Sequence, residues 1–384
     1  MKHKSCLFIT QQFDTTGGAG VYAYELVHAL GKQGISVHVM CMGPRTKTER
    51  ITHNIFVHYV KIVNLPGIKV PSFHLQVLFR SKLLIKKYDV SIIHSNNYAA
   101  AFASTLVPTV ATIHHPAIYE VKQHTSFIQR IIYSADIFFE RCTVNRARAV
   151  VADSHITKNA LEKMYNKPIK IVPCGIDTSL FKIQSSRTIR NEIGINATDV
   201  VLFFPGGSRS KRKGAEVLFA ALKKVPFDNY RCIVSGSPRG DIGWAQEFRN
   251  ALRDSGLMNK IILLDEVSFT DLPKYYSAAD LVVYPSILEG FGLPALEALS
   301  CGKAFIGSRT GEIPYIIKDG HNGILVEVND VSELQQALEK LMTNKQMRTK
   351  LATNARKSVN SYSWDAIAKS IGLIYTQVLE HADE

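Results

Sequence analysis

Two glutamates eight residues apart, Glu289 and Glu297, enclose the segment Glu-Gly-Phe-Gly-Leu-Pro-Ala-Leu-Glu. Gly290 and Gly292 permit an open loop, and Pro294 suits the first turn of a helix that would carry Glu297. Ionised carboxylates are strong hydrogen-bond acceptors, so this pair can hold the hydroxyl groups of a sugar and of a ribose. A surface charge at Glu289 and a helix-dipole partner at Glu297 would explain the charges but not the glycines.

A basic segment, residues 206–214, has the sequence Gly-Gly-Ser-Arg-Ser-Lys-Arg-Lys-Gly and follows a predicted strand. Its cations Arg209, Lys211, Arg212 and Lys213 would repel one another at the start of a helix. The pattern therefore favours a bound anion such as a diphosphate. A solvated basic loop is the alternative interpretation.

A third, weaker pattern joins the first predicted strand to the first predicted helix, with glycines at Gly17, Gly18 and Gly20. Glycines let the backbone approach a ligand, and the free N–H groups of a helix N-terminus attract a pyrophosphate. The spacing does not match G-x-G-x-x-G, and a tight structural turn explains the same residues.

Both halves of the chain alternate short apolar runs with amphipathic helical stretches, the pattern of parallel α/β sheets. The chain length suits two domains. We predict an N-terminal domain over 1–183, a C-terminal domain over 184–362 that starts with a polar connector (184–199), and a final segment, 363–384, whose helix packs back on the first domain. The predicted strands are 5–10, 35–40, 55–60, 90–94, 109–113, 149–152, 170–172, 200–204, 231–235, 261–264, 281–284 and 304–306.

The net charge of +13 is concentrated in the first half of the chain. Residues 1–185 contain 22 Lys and Arg against 10 Asp and Glu, whereas residues 186–384 contain 24 against 23. This asymmetry predicts that the first half meets an anionic partner, such as a membrane surface or a lipid phosphate; a solvated basic surface is the alternative. Residues 69–87 mix apolar and basic side chains, which suits a helix on an anionic leaflet, although a buried helix with a cationic edge fits equally.

The six cysteines are scattered and lack metal-ligand spacing, so we expect no structural zinc and a cytoplasmic location. No apolar run approaches the roughly 20 residues of a membrane span.

The sequence resembles family 4 of the retaining GT-B glycosyltransferases in three features. These are the Glu289–Glu297 element, the basic start of the helix at Lys213-Gly214 and the Gly17-Gly18 loop. The likeness extends from the first strand to Trp364, and the motif Glu-Gly-Phe-Gly-Leu-Pro-Ala-Leu-Glu-Ala is its most specific part. The resemblance implies an α/β GT-B fold, with two Rossmann-like doubly wound domains facing an interdomain cleft.

The resemblance also implies site roles. Glu297 would bind the donor ribose, and Lys213 would neutralise the diphosphate. The sugar and phosphates would be held by Glu289 and by the backbone of Phe291, Gly292 and Leu293. Further donor contacts are expected from Gly17, Gly18, Gly207 and Gly290. His114, in the segment Thr-Ile-His-His-Pro, is preferred over His115 as the histidine near the transferred sugar. Relatives carry an arginine where this chain has Gly207 or Ser208, so Arg209 or Arg212 is the expected substitute.

The expected reaction is retaining and metal-independent transfer of a sugar from a nucleotide diphosphate sugar, with no cofactor. The expected acceptor is a lipid-linked or cell-envelope glycan, reached by peripheral association with the inner face of the membrane; nucleic acid is not an expected partner. A nucleotide-sugar epimerase of the same fold and a non-catalytic polyanion-binding module are the alternatives. The base, sugar, acceptor, linkage and oligomeric state are left open; Ser235, Gly236, Ser237, Asp265, Glu266 and Val267 are candidates for the base pocket.

Overall fold

In a computed structural model of the chain, the described residues are 5–14, 18–65, 67–119, 127–236 and 242–381, without the side chains of 127–133 and 242. The chain divides into two compact units. Unit 1 contains residues 1–175 and 364–384, and unit 2 contains residues 176–363.

Unit 1 is built on an eight-stranded sheet in the order β3-β4-β2-β1-β5-β6-β7-β8. Its strands run parallel except for β3, which is antiparallel to β4 at the edge. The central strand β1 is buried at every residue, as expected for a sheet covered on both faces. The strands are β1 (Ser5–Ile9), β2 (Ser36–Gly43), β3 (Lys47–Arg50), β4 (Ile55–Lys61), β5 (Ile92–Asn96), β6 (Thr109–Ile113), β7 (Ala149–Ala152) and β8 (Ile169–Ile171).

The described helices of unit 1 connect these strands in β–α alternation. They are α1 (Gly18–Lys32), α2 (Lys69–Tyr88), α3 (Phe127–Arg146) and α4 (His155–Tyr165), with a short 3₁₀ turn at Ala103–Thr105. The last helix of the chain, Trp364–Glu380, also belongs to unit 1 and packs against α1. Its Tyr375 hydroxyl lies 2.7 Å from Nδ1 of His94 in the sheet.

Unit 2 is built on a six-stranded parallel sheet in the order β11-β10-β9-β12-β13-β14. Its strands are β9 (Val200–Phe204), β10 (Tyr230–Val234), β11 (Ile261–Leu263), β12 (Leu281–Tyr284), β13 (Ala304–Ser308) and β14 (Ile324–Val326). Its helices are α5 (Arg187–Glu192), α6 (Ala215–Leu222), α7 (Ile242–Ser255), α8 (Leu272–Ala278), α9 (Leu293–Ser300), α10 (Ile313–Ile316), α11 (Val331–Thr343) and α12 (Lys345–Ser358). The final helix of unit 1, Trp364–Glu380, is α13, and short 3₁₀ turns lie at Lys211–Lys213 and Asn360–Tyr362.

The two parallel sheets confirm the predicted α/β class. Four details differ from the sequence prediction. Strand β14 was not predicted, although its sequence, Ile-Leu-Val, is apolar. Residues 176–183 lie in unit 2, because Ile176 donates to the Tyr362 carbonyl at 2.7 Å and Phe181 is fully buried. The predicted connector contains helix α5, whose Arg190 bonds Asp280 at 2.9 Å. Strand β3 escapes prediction because its sequence, Lys-Thr-Glu-Arg, is polar throughout, as is common on an edge.

Candidate functional site

The carboxyl ends of β9 and β12 bring two predicted site segments together in unit 2. These strands are parallel neighbours, with Leu202 beside Leu281 and Phe203 beside Val282. The loops that follow them therefore leave the same edge of the sheet. The N–H of Ile287 donates to the carbonyl of Arg212 at 2.7 Å, so the basic segment and the first glutamate loop are in direct contact.

Gly214 makes this contact possible. Its φ of +80° lies in the left-handed region, and a Cβ added there would lie 2.0 Å from the carbonyl oxygen of Pro285. Only glycine accommodates both the dihedral and the approach. Gly214 also precedes α6, which has no side-chain N-cap.

Glu289 lies at the centre of a polar cluster and is 9% exposed. Its Oε1 is 2.7 Å from Nζ of Lys213 and 3.2 Å from Nη1 of Arg212. The hydroxyls of Ser286 and Tyr284 donate to the same oxygen at 2.6 and 2.9 Å. This one carboxylate therefore holds together the basic segment, the end of β12 and the glutamate loop.

Two cations, Lys213 and Arg212, face the single carboxylate of Glu289. Burial raises the pKa of Glu289, but Lys213 and Arg212 outweigh it and hold that pKa below its usual value. Burial lowers the pKa of Lys213, and the neighbouring Arg212 and Arg209 lower it further, against the opposing effect of Glu289. An additional anion bound here would favour the charged form of Lys213.

The second glutamate of the motif lies in helix α9. Glu297 is 7% exposed, and its Oε2 accepts a hydrogen bond of 2.5 Å from the Tyr276 hydroxyl. Burial raises the pKa of Glu297 to about 7, although Tyr276, Arg209 and Lys213 each favour the ionised form. Gly292 precedes α9 with a φ of +89°, and no side chain caps this helix either.

The two arginines of the basic segment, Arg209 and Arg212, have different partners. Arg212 contacts Glu289 and donates to the carbonyl of Leu288 at 3.0 Å. Arg209 pairs with Glu266 at 2.5 Å, and its buried Nε has no hydrogen-bond partner. Arg209 is also near enough to lower the pKa of Glu297.

The remaining predicted donor residues of unit 2 are distributed around this edge. Phe291 is buried, Leu293 is the first residue of α9, and a Cβ at Gly290 would meet nothing within 4 Å. Gly207 packs so tightly against the Phe204 ring that a Cβ would lie 2.3 Å from it, so packing alone explains why a glycine is needed here.

A cavity of about 380 Å³ is lined by Asp265, Glu266 and Val267, which are among the residues proposed for the base pocket. Ser237, another of those residues, is outside the described residues.

His114 follows strand β6 in unit 1 and is held by two acceptors. Its Nδ1 is 2.7 Å from Oδ2 of Asp153, and its Nε2 is 2.9 Å from Oδ1 of Asn96. Nδ2 of Asn96 donates to Thr10 and to the Ala19 carbonyl, so Asn96 presents its oxygen to the histidine. These two contacts, one on each ring nitrogen, fix the orientation of the imidazole.

Other groups fix the same ring. The Tyr22 ring packs edge-on against His114 with centroids 4.5 Å apart. One possible ligand atom from each of His114, Asp153 and Cys174 lies within 4.8 Å of the others. Histidine, aspartate and cysteine side chains are common metal ligands. His115 is exposed, Gly18 begins α1, and Gly17 is outside the described residues.

Sequence reasoning missed the side chains that hold the predicted site residues in place, namely Tyr276, Tyr284, Ser286, Asn96 and Asp153. The sequence position of three of them could have indicated a site, because Tyr284 and Asn96 end their strands and Asp153 directly follows β7. Polar residues at the carboxyl ends of parallel strands face the edge where ligands bind. Tyr276 lies inside α8 and carries no such signal.

Helix α2 has two unlike apolar faces. Phe73 and Val77 are fully buried, whereas Leu75, Phe79 and Leu83 are 52%, 65% and 70% exposed. Their spacing of four residues aligns the three exposed side chains along one stripe. Lys82, Lys86 and Lys87 are exposed on the same helix.

Within the described part of the chain, no helix combines the length and the hydrophobicity needed to cross a membrane.

Two parallel sheets, each with loops at its carboxyl edge, define the fold of the GT-B glycosyltransferases, and solved structures of that class match the whole chain. Sucrose-phosphate synthase from Thermosynechococcus elongatus has a TM-score of 0.80 and 22% identity, covering 98% of this chain and 100% of that one. HepE from Anabaena, solved with UDP-glucose, has a TM-score of 0.75 and 21% identity, with 98% and 100% coverage.

The sequence comparisons identify the family. Residues 16–180 match the model described as Glycosyltransferase Family 4, and residues 185–358 match the model described as Glycosyl transferases group 1. The chain belongs to this family of glycosyltransferases. It is 28% identical over 390 residues to the D-inositol 3-phosphate glycosyltransferase of Corynebacterium kroppenstedtii, covering 94% of this chain and 86% of the relative.

Proposed function

We propose that the carboxyl edge of the unit 2 sheet binds a nucleotide diphosphate sugar and that the chain transfers this sugar with retention of anomeric configuration. The observation that carries the proposal is the buried contact between Lys213 and Glu289, 2.7 Å long, within a cluster that holds surplus positive charge. A diphosphate would supply the missing negative charge.

The N–H groups at the starts of α6 and α9 support the same assignment. Neither helix has a side-chain cap, so the first amide groups are available to phosphate oxygens. In this proposal Lys213, Arg212 and these amides hold the diphosphate. Glu297 binds the ribose hydroxyls, and Glu289 with the backbone of 291–293 holds the sugar. Arg209 contributes charge from beside Glu266.

The chemistry follows from where charge develops. As the bond between the sugar and the phosphate breaks, negative charge grows on the leaving diphosphate, and fixed cations stabilise that transition state. The acceptor oxygen attacks the same face of the sugar and gives its proton to the leaving phosphate. Lys213 and Arg212 supply positive charge that a metal ion provides in other transferases. In unit 1, His114, held by Asp153 and Asn96, is the proposed group beside the transferred sugar.

A uridine diphosphate sugar is the first donor to test, because HepE has been solved with UDP-glucose. The relative from Corynebacterium is named D-inositol 3-phosphate glycosyltransferase, so a phosphorylated acceptor is the second class to test.

We further propose that the acceptor is a lipid-linked or cell-envelope glycan, reached from the cytoplasmic face of the membrane. The exposed stripe Leu75, Phe79 and Leu83 beside Lys82 and Lys86 supports this assignment. An apolar stripe flanked by lysines suits the surface of an anionic bilayer, where the rings and chains enter the interface and the cations meet phosphates.

An acceptor-dependence assay tests the proposed reaction. UDP release from UDP-glucose is measured with and without a membrane lipid extract that contains candidate acceptors. The anomeric configuration of the product is determined by NMR. Transfer predicts UDP release that rises with acceptor and an α-linked product from the α-linked donor. An epimerase would convert the donor without releasing UDP, and a polyanion-binding module would leave the donor unchanged.

A further inference from the structure

His114, Asp153 and Cys174 converge at the carboxyl edge of the unit 1 sheet. They lie just after the ends of β6, β7 and β8, which are adjacent parallel strands. Oδ2 of Asp153 is 2.7 Å from Nδ1 of His114 and 3.6 Å from Sγ of Cys174. Asp153 and Cys174 are buried, and the side chain of His114 is only 10% exposed. The three residues are 39 and 21 positions apart, so their spacing in the sequence does not indicate a metal site.

The three side chains offer the nitrogen, oxygen and sulfur ligands that zinc prefers. Zn²⁺ binds imidazole nitrogen and carboxylate oxygen at about 2.0–2.2 Å and thiolate sulfur at about 2.3 Å, so the ligand atoms of a tetrahedral site lie about 3.3–3.6 Å apart. The distance from Sγ of Cys174 to Oδ2 of Asp153 already fits, and the distance from Oδ2 to Nδ1 of His114 needs to open by about 0.6 Å. Three protein ligands leave a fourth position for water.

The second oxygen of Asp153 independently indicates a bound cation. The side chain is only 5% exposed, and its buried Oδ1 has no hydrogen-bond partner among the residues that the structure describes. A buried carboxylate oxygen without a partner is costly, and a cation held by this carboxylate would compensate for it. With the thiolate of Cys174, the carboxylate also balances the double charge of Zn²⁺, so the buried site is neutral as a whole.

The surroundings of His114 hold its ring as a metal ligand requires. Nδ2 of Asn96 donates two hydrogen bonds, so Oδ1 of Asn96 faces Nε2 of His114, at 2.9 Å. This acceptor favours a proton on Nε2 and leaves Nδ1 to the metal, as metal-bound histidines commonly donate their second N–H to an oxygen. The His114 N–H donates to Asn97 at 3.1 Å, and Thr157 donates to the His114 carbonyl at 2.8 Å. The ligand is therefore fixed through both its ring and its backbone.

We propose that His114, Asp153 and Cys174 bind one Zn²⁺ ion and that this ion inhibits sugar transfer. Binding displaces the proton of the Cys174 thiol and any proton on Nδ1 of His114 to solvent, so zinc binds more tightly as pH rises. The ion and its water ligand take up space beside His114, where the transferred sugar is proposed to lie. The inhibition rests on that proposed function, whereas the metal site does not.

Titration of the full chain with chelator-buffered Zn²⁺ tests the site. The site variants are Cys174→Ser and Asp153→Asn, and the controls are Cys142→Ser and His115→Asn, whose side chains lie outside the cluster. We expect one ion per chain in wild type and in both controls, and a loss of about 100-fold or more in zinc affinity in both site variants. Co²⁺ is the second probe, because a thiolate ligand gives it a charge-transfer absorption that Cys174→Ser should lack.

Circular dichroism melting identifies the variants that fold. Unchanged zinc affinity in the folded site variants, or Co²⁺ bound to wild type without the thiolate absorption, would overturn the site. The cobalt spectrum of wild type gives this answer even where a variant does not fold.

The inhibition is measured as UDP release from UDP-glucose in the presence of the membrane lipid extract, with and without Zn²⁺. Each protein is compared with its own rate without zinc. We expect zinc to slow wild type and Cys142→Ser by about tenfold or more, because small displacements beside the reacting centre have effects of this size, and to slow Cys174→Ser little. Zinc-loaded wild type that keeps its full rate would overturn the inhibition. Absence of transfer without zinc would overturn the proposed function and the inhibition with it, while the metal titration still decides the site.

Discussion

Nζ of Lys213 lies 2.7 Å from Oε1 of Glu289, and their side chains are only 12% and 8% exposed. These residues are 76 positions apart and meet because β9 and β12 are parallel neighbours whose loops leave the same edge. A buried ion pair alone is weak evidence of stabilisation, because desolvation offsets much of its attraction. The surplus of cations around it is the feature that points to a bound diphosphate.

We expect Gly214→Ala to destabilise the protein more than Gly256→Ala. Both glycines have a positive φ, +80° and +72°, so each alanine incurs the left-handed strain of about 1–2 kcal/mol. Only at position 214 does the new Cβ also meet the Pro285 carbonyl, and overpacking of this kind adds about 1–3 kcal/mol. Urea unfolding of both variants measures the difference. Equal losses would show that the loop at Pro285 moves away freely.

The sequence predicted the glutamates and cations of unit 2 better than the hydroxyl groups that contact them. The spacing of Glu289 and Glu297 and the run of cations before Gly214 are visible in one dimension, because each lies within a short segment. The role of Tyr276 is not visible, because its contact with Glu297 depends on how α8 packs against α9. In the fold, apolar strands such as β9 were predicted closely, whereas the polar edge strand β3, the three-residue edge strand β14 and the helix α5 were not.

The pKa of Glu297, raised by burial to about 7 from an ordinary value of 4.5, predicts a pH-dependent stability. The folded chain binds a proton that the unfolded chain loses, so this residue's effect grows less favourable as pH rises from about 4.5 to 7. The full difference is of the order of 3 kcal/mol. Glu297→Gln should remove it, and urea unfolding of both proteins at pH 5 and pH 7.5 measures it. Parallel pH profiles for the two proteins would refute the assignment.

Asp153 is predicted to act by positioning His114. Asp153→Asn keeps the shape but replaces the carboxylate that faces Nδ1, so we expect kcat to fall by about 10–100-fold with little change in the KM for the donor. The pH profile of kcat should shift as well, which a merely structural role would not produce. Asp89→Asn is the matched control, since Asp89 has a φ of +50° that asparagine also adopts. Equal kcat values for the two variants would contradict the prediction.

The exposed stripe on α2 predicts binding to anionic membranes. The triple variant Leu75→Ser/Phe79→Ser/Leu83→Ser should bind liposomes containing phosphatidylglycerol about tenfold or more weakly than wild type, because buried apolar area is lost. Leu373→Ser is the control, since Leu373 is 59% exposed on a different helix, α13. Co-sedimentation with anionic and neutral liposomes provides the measurement. Wild-type binding that is no stronger to anionic than to neutral liposomes would reject the membrane proposal.

The affinity of the chain for UDP and for UMP tests the central claim most directly. Calorimetry on wild type, Lys213→Ala and the control Lys223→Ala, an exposed lysine just after α6, isolates the contribution of the β-phosphate. We predict that wild type and Lys223→Ala bind UDP more tightly than UMP, and that Lys213→Ala loses about 10–100-fold in UDP affinity and most of that preference. Undiminished UDP affinity in Lys213→Ala, or equal affinities of wild type for UDP and UMP, would contradict a diphosphate site at Lys213.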